Sequence, residues 1–102
     1  KPLIMSEFGA GAVAGRKGDI STPFTEEHQA HVYRKQIGML GRIPFLAGLS
    51  PWILKDFRTP RRVLAGVQDG WNRKGLVSDR GLRKRAFGVL RERYRELARP
   101  AS

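Results

Sequence analysis

The stretch that decides the fold is residues 1–10, KPLIMSEFGA. Leu3, Ile4 and Met5 form a continuous apolar run rather than an alternating one, which is typical of a short strand buried on both faces. The run ends abruptly, so Glu7 is predicted at the carboxyl end of this strand. A glutamate is costly to bury unpaired, and chemistry in parallel α/β barrels is done at that end of the strands. Position alone leaves two interpretations open: Glu7 faces water or an arginine, or it belongs to a functional site.

The residues that follow predict a βαβ unit. Thr25 is a good N-cap, and Glu26 and Glu27 put negative charge in the first turn of a helix predicted over residues 26–40. A second apolar run, residues 45–49, predicts another buried strand. This order implies parallel pairing and a right-handed crossover. The helix has an amphipathic stripe, predicted to be core, that consists of Val32, Tyr33, Gln36, Ile37 and Leu40.

The rest of the chain predicts a long loop and a last helix. Trp52 follows the second strand at the same sheet edge as Glu7, where an aromatic side chain is by default a core plug. Residues 55–74 form a long polar loop, and loops of this length in compact domains are usually functional or disordered. The last helix is predicted over residues 82–97 and ends before Pro100, with a core stripe of Phe87, Leu90, Tyr94 and Leu97. The predicted fold class is α/β: strand, helix, strand, long loop, helix.

Composition narrows the classes of function. The 102 residues include no cysteine, which excludes disulfides and thiolate metal sites and leaves the compartment undecided. His28 and His31, three positions apart on the predicted helix, are interpreted as solvated surface residues, so no metal site is predicted. No apolar run approaches the roughly 18 residues of a membrane span. No membrane partner is therefore predicted.

A net charge of +11 raises nucleic acid as a partner. Many of the arginines surround the last predicted helix, where Glu92 and Glu96 can pair with arginines three positions away. The chain lacks the aromatic interleaving of an RNA-binding sheet. Arginines that meet acidic residues elsewhere in a larger protein give the same excess of charge. Nucleic acid is therefore not predicted, and a basic α/β module that binds nucleic acid or protein stays as the alternative class.

Five stretches, in order, resemble glycoside hydrolase family 2, above all its β-glucuronidases. They are PLIMSEFGAGAVAG, FTEEHQAHVYR, PWILKDFRTP, NRKGL and AFGVLRERY. The resemblance implies a (β/α)8 barrel, of which residues 1–102 are the C-terminal part with the last two βα units. A complete barrel needs roughly 200 residues or more. The chain also begins at Lys1 without a methionine, so we expect a fragment of the catalytic domain.

The resemblance also implies a reaction and its residues. Glu7 is the nucleophile of a retaining exo-β-glycosidase, and Trp52 lines the sugar subsite. Asn72 and Lys74 form an Asn-x-Lys motif that recognises a sugar carboxylate. The partner is a carbohydrate, and neither a metal nor an organic cofactor is needed. The family often uses an arginine for the same carboxylate, and the sequence leaves three candidates for it: Arg58, Arg61 and Arg62.

Two departures from the family pattern limit what this chain can do. The long loop is a few residues longer than in typical β-glucuronidases and reads QDGWNRKG where they tend to have GGNKKG, so glucuronide, galactoside and galacturonide stay open. The family's acid/base, a glutamate in an Asn-Glu pair on the fourth strand, is missing. The other glutamates lie on predicted helices, and no remaining acid is expected at a strand end. The chain alone is expected to be inactive, and to self-associate or need the rest of the barrel because its strands have open edges.

Overall fold

A computed structural model of the chain describes residues 2–98. Two helices pack on a pair of parallel strands, and a small antiparallel hairpin lies between the second strand and the last helix. The elements in chain order are β1 (Leu3–Met5), α1 (Glu26–Leu40), β2 (Leu46–Leu49), β3 (Phe57–Arg58), β4 (Trp71–Asn72) and α2 (Arg85–Ala98).

The predicted βαβ unit is confirmed. Strands β1 and β2 pair in parallel, with Leu3 opposite Leu46 and Met5 opposite Leu49, and the register shifts between Leu3 and Ile4. The second strand begins at Leu46, one residue later than predicted. Both strands therefore present their carboxyl ends at one edge, which is where Glu7 follows β1.

The apolar strand β1 is not buried on both faces in this chain, in line with the expectation that the chain alone leaves its strands open. Leu3 is 43 % exposed and Ile4 is 67 % exposed. The sheet of β1 and β2 has only two strands, and among residues 2–98 no element pairs with their outer edges. The apolar composition of β1 thus exceeds what the rest of the chain covers.

Helix α1 begins and ends where the sequence predicts. The hydroxyl of Thr25 accepts a hydrogen bond from the backbone N–H of His28 over 3.1 Å, which caps the first turn. At the other end, the N–H of Gly41 donates to the carbonyl oxygen of Ile37. Of the predicted core stripe, Tyr33 and Leu40 are buried and the other three residues are partly buried.

The core lies between the two helices and the sheet. The ring of Phe8, just after β1, packs against the ring of Tyr33 with 5.6 Å between centroids. The Tyr33 hydroxyl is buried and has no hydrogen-bond partner within residues 2–98. The buried apolar cluster consists of Phe8, Ala30, Tyr33, Leu40, Leu76, Ala86 and Leu90.

Helix α2 begins at Arg85, three residues after the predicted start. The Ser78 hydroxyl accepts hydrogen bonds from the N–H groups of Arg80 and Leu82, which holds this segment in a turn. The next residues continue as extended backbone, since the N–H of Lys84 donates to the carbonyl of Leu76. Pro100, predicted to end the helix, lies outside the described residues.

The stripe of α2 is less buried than predicted. Leu90 is buried and Phe87 partly buried, but Tyr94 and Leu97 are 42 % and 54 % exposed. The Tyr94 hydroxyl donates to the carbonyl oxygen of Leu49 over 2.8 Å and so ties the helix to the end of β2. No helix in the part of the chain that the structure describes is long and apolar enough to cross a membrane.

Residues 55–74, predicted as one long loop, contain a short hairpin. Strands β3 and β4 pair antiparallel within it, with Phe57 opposite Asn72. Two guanidinium groups contact the ring of Trp71, that of Arg58 at 5.1 Å and that of Arg73 at 5.4 Å from its centroid. Such cation–π contacts stabilise a hairpin that is too short to be held by its strands alone.

Candidate active site

Three chain segments meet at the carboxyl ends of β1 and β2. The N–H of Ser50 donates to the carbonyl of Met5, and the N–H of Trp52 donates to the carbonyl of Phe8 over 3.0 Å. The N–H of Ile53 then donates to the carbonyl of Lys74 over 3.1 Å. These backbone bonds bring the end of each strand and the second strand of the hairpin together. The peptide bond between Trp52 and Ile53 is cis.

Glu7, Trp52 and Lys74 line one open hollow of about 370 Å³. The side chains of Glu7 and Lys74 are exposed, and Trp52 is 39 % exposed. Gln36 of α1 contributes a polar group, and the rest of the lining is Met5, Phe8 and Gly9. Within residues 2–98 no second carboxylate lines this hollow. A carboxylate, a cation and an exposed aromatic face form a set of groups suited to a polar ring-shaped ligand.

Trp52 also lines a second hollow of about 390 Å³, and Asn72 lies there. Arg61 and Arg62 line the same hollow, together with Phe57, whose ring meets that of Trp52 edge-on at 6.2 Å. Asn72 therefore does not share the hollow of Glu7. Of the four predicted site residues, Glu7, Trp52 and Lys74 thus share one hollow, and Asn72 shares a second hollow with Trp52.

The three candidate arginines are not equivalent. Arg61 and Arg62 line the hollow with Asn72, whereas Arg58 stacks on Trp71 in the hairpin. Two of the three arginines therefore remain as candidates to contact a ligand in this hollow.

The side chain of Asn72 is held by its own loop. It is 5 % exposed, and its Oδ1 accepts a hydrogen bond from the N–H of Lys74 over 2.9 Å. This geometry commits the oxygen to the backbone and leaves the NH2 group as the donor. An amide N–H and an ammonium can both donate hydrogen bonds to a carboxylate.

A buried ion pair beneath the site was not found by the sequence analysis. Nζ of Lys84 lies 2.8 Å from Oδ1 of Asp56, and both side chains are fully buried. Burial lowers the pKa of Lys84, and the Asp56 carboxylate opposes that shift. Asp56 sits immediately before β3, so the expectation that no further acid lies at a strand end is wrong. Its Oδ1 accepts hydrogen bonds from Nζ of Lys84 and from the N–H of Gly75, whereas its Oδ2 has no hydrogen-bond partner within residues 2–98. Asp56 does not line the hollow of Glu7.

Two polar residues of α1 anchor the glycine-rich loop, residues 9–15. Glu26 lies in the first turn of α1 as predicted, and it is also buried and accepts hydrogen bonds from the N–H groups of Gly15 (2.6 Å) and Arg85 (2.7 Å). Gln29 is fully buried, and its amide donates to the carbonyls of Ala10 and Gly75. Their spacing in the sequence could have indicated a shared role, because residues 26 and 29 are about one turn apart and lie on the same face of α1.

The histidines are less solvated than predicted. His28 and His31 are both partly buried, and the Nδ1 of His28 lies 2.7 Å from the carbonyl oxygen of Ile20. Across residues 2–98 no cluster of three or more His, Cys, Asp or Glu side chains is arranged to hold a metal ion.

Known proteins with similar sequence are β-glucuronidases. No protein-family profile matches the chain. A β-glucuronidase of Paenibacillus borealis is 33 % identical over 97 residues, which is 95 % of this chain and 16 % of the relative. The chain thus spans about one sixth of the length of the curated relatives it matches.

Two solved structures show the same fold over almost the whole chain. The β-glucuronidase of Faecalibacterium prausnitzii superposes with a TM-score of 0.84 at 30 % identity, covering 100 % of this chain and 17 % of that one. The family 2 β-galacturonidase of Eisenbergiella tayi, bound to galacturonate, superposes with a TM-score of 0.85 at 26 % identity, covering 96 % of this chain and 18 % of that one. The relatives are thus β-glucuronidases, and the two structural neighbours are a β-glucuronidase and a family 2 β-galacturonidase.

Proposed function

We propose that residues 1–102 are the C-terminal part of the (β/α)8 catalytic barrel of a retaining family 2 glycosidase that acts on β-uronides. The observation that carries the proposal is the hollow that Glu7, Trp52 and Lys74 share at the carboxyl ends of two parallel strands. Active sites of (β/α)8 barrels lie at that end of the strands. The similarity of this chain to one sixth of the length of β-glucuronidases supports the same assignment.

Glu7 is the nucleophile in this proposal. Within residues 2–98 no basic side chain lies within 4.0 Å of its carboxylate, so it is not consumed by an ion pair. Its oxygen attacks the anomeric carbon, forms a glycosyl ester and expels the leaving oxygen. In retaining enzymes a second carboxyl group, about 5–5.5 Å away, protonates that oxygen and then activates water. The described residues place no such group in the hollow, so the acid/base comes from another part of the barrel.

The uronide assignment rests on the cations around Trp52. Lys74 is exposed and shares a hollow with Glu7 and Trp52, and Arg61 and Arg62 share a second hollow with Trp52 and Asn72. A sugar ring beside the indole therefore meets positive charge in either hollow. A uronate carboxylate is the sugar substituent that makes charge-assisted bonds with such groups.

A β-galacturonide is the second candidate substrate. The galacturonidase of E. tayi was solved with galacturonate and has the same fold as this chain. Galacturonate and glucuronate carry the same carboxylate and differ in the configuration of one ring hydroxyl. The cations named above do not distinguish them, so the proposal commits to the uronide class.

The experiment compares Lys74→Ala with wild type in the complete enzyme that carries this segment. A charge-assisted contact contributes about 1.5–3 kcal/mol, so kcat/KM for nitrophenyl β-glucuronide and β-galacturonide falls roughly 10- to 100-fold. The rate on the neutral β-galactoside stays close to wild type. Lys35→Ala, which removes an exposed lysine of α1, is the matched control and leaves all three rates unchanged. Equal slowing of all three substrates by Lys74→Ala contradicts the uronide assignment and favours a β-galactosidase.

A further inference from the structure

The ammonium of Lys84 is bonded to three different segments of the site. Its Nζ donates to the carbonyl of Ala12 (2.6 Å), to Oδ1 of Asp56 (2.8 Å) and to the carbonyl of Arg73 (3.1 Å). These acceptors lie in the glycine-rich loop after Glu7, in the segment after Trp52, and in the residue before Lys74. Three donors meet three acceptors, so the hydrogen-bonding capacity of the ammonium is filled.

This network holds the backbone immediately before and immediately after Lys74. The carbonyl of Arg73, which precedes it, accepts from Lys84 and from the N–H of Ala12. The N–H of Gly75, which follows it, donates to Oδ1 of Asp56 over 2.9 Å. Both peptide bonds that flank Lys74 therefore end on the buried ion pair or its direct partners.

We propose that Asp56 and Lys84 are positioning residues that fix where the Lys74 side chain enters the hollow, and so set the selectivity for a substrate carboxylate. The inference rests on the proposed function for its substrate and on the hydrogen bonds above for its geometry. Neither residue lines a hollow that contains Glu7 or Asn72, so neither contacts the sugar. Their effect on catalysis passes through the backbone of Lys74.

Packing alone does not account for a charged pair in this place. Replacing a buried ion pair with apolar residues of similar volume is often neutral or stabilising. An apolar pair, however, gives no donor to the carbonyls of Ala12 and Arg73 and no acceptor to the N–H of Gly75. The network also extends to the hairpin, because Nη1 of Arg73 lies 3.6 Å from Oδ2 of Asp56 and the same guanidinium stacks on Trp71. The pair thus couples the loop of Lys74 to the strand of Asn72.

The test uses Lys84→Met and Asp56→Asn in the complete enzyme. Methionine keeps the length of the side chain without the ammonium, and asparagine keeps an acceptor for the N–H of Gly75 without the charge. Misplacement of a binding group by about 1 Å can cost on the order of 100-fold. We therefore expect KM for nitrophenyl β-glucuronide to rise between about 10- and 100-fold in Lys84→Met, and less in Asp56→Asn, with a smaller change on the neutral β-galactoside.

The double variant Lys84→Met/Lys74→Ala separates positioning from general loss of stability. Once the Lys74 ammonium is absent, its placement no longer matters. The double variant therefore has the same ratio of kcat/KM on the β-glucuronide to kcat/KM on the β-galactoside as Lys74→Ala alone. Leu90→Ala, a core truncation in α2, is the control for destabilisation and lowers both rates together. An unchanged ratio in Lys84→Met, or ratio effects that add in the double variant, overturns the proposal.

Amide hydrogen exchange tests the same geometry without a substrate. In Lys84→Met, the N–H groups of Gly75 and Ala12 exchange faster than in Leu90→Ala, because the bonds that protect them share the lost ammonium. If both amides keep their protection in Lys84→Met, the positioning role is wrong whatever the substrate. If wild type shows no preference for uronides while the two amides lose protection, the proposed function fails and the positioning of this loop stands.

Discussion

The backbone N–H of Trp52 donates to the carbonyl oxygen of Phe8 over 3.0 Å. This bond fixes the residue after Glu7 against the residue after the turn from β2, so the carboxylate and the indole occupy one hollow through their backbones. Their relative placement therefore does not depend on a contact between the two side chains. A substitution at Glu7 can remove the carboxylate without disturbing Trp52.

Glu7→Gln removes the nucleophile and keeps its shape. In the complete enzyme we expect kcat for a nitrophenyl β-glycoside to fall roughly a thousandfold or more, as for other catalytic residues that act as a unit. Substrate binding changes little, since an amide fills the same volume. Glu92→Gln, which alters an exposed acid of α2, is the matched control and keeps wild-type activity. A Glu7→Gln variant with more than a tenth of wild-type kcat would exclude Glu7 as the nucleophile.

Local pattern was enough to predict the βαβ unit. The cap at Thr25 and the apolar period of α1 gave both ends of that helix, and two unbroken apolar runs gave the parallel strands. The same patterns placed Glu7 and Trp52 at one edge, because parallel strands end together. The resemblance to a known family supplied Asn72 and Lys74, and the structure puts Lys74, but not Asn72, beside Glu7.

The features that sequence reasoning missed depend on contacts between distant residues. Lys84 and Asp56 are 28 positions apart, and Lys84 and Ala12 are 72 positions apart. No periodicity marks such a pair. The late start of α2 has the same origin, because the carbonyl of Leu76 accepts from Lys84 and holds it in extended backbone where the apolar pattern favours helix.

The chain by itself is expected to associate. Ile4 is 67 % exposed on an open strand, and a second apolar surface, a groove of about 440 Å³ along α2, is lined by Leu54, Leu76, Phe87 and Leu90 among others. Exposed apolar patches and unpaired strand edges promote association. Sedimentation of the 102-residue chain should show oligomers, with less association in Ile4→Lys. A monodisperse wild-type monomer at all concentrations would contradict this expectation and the need for a surrounding barrel.

Gly75→Ala should disrupt the loop of Lys74 through contact rather than through backbone angle. A β-carbon at Gly75 would clash with the backbone nitrogen of Asp56 and lie 2.6 Å from its Oδ1. Overpacking of this kind lowers the free energy of unfolding by about 1–3 kcal/mol. Gly38→Ala in α1 is the control, because a β-carbon there meets no atom within 4 Å, and it should stabilise the helix by about 0.5–1 kcal/mol. Denaturant unfolding of the two variants measures both effects, and equal stabilities would refute the close approach.

The last prediction concerns the buried hydroxyl of Tyr33. The residue is fully buried, and the hydroxyl has no hydrogen-bond partner within residues 2–98. A buried hydroxyl without a partner costs about 1–3 kcal/mol. Tyr33→Phe should therefore raise the free energy of unfolding at pH 7 by roughly 1 kcal/mol. Tyr94→Phe removes a hydroxyl that donates to Leu49 and should lower it by about 0.5–1.5 kcal/mol.

The same hydroxyl gives this pair of variants a dependence on pH. Burial, with a smaller contribution from the nearby Tyr94 phenol, raises the pKa of Tyr33 well above its ordinary value of 10.0. Above pH 10 the unfolded state therefore loses the proton while the folded state keeps it, so stability falls as pH rises. Below pH 10 both states hold the proton and this contribution to stability is complete. Thermal midpoints at pH 8 and pH 10.5 should diverge further between wild type and Tyr33→Phe at the higher pH. A constant difference would show that the Tyr33 phenol ionises equally in the folded and unfolded states.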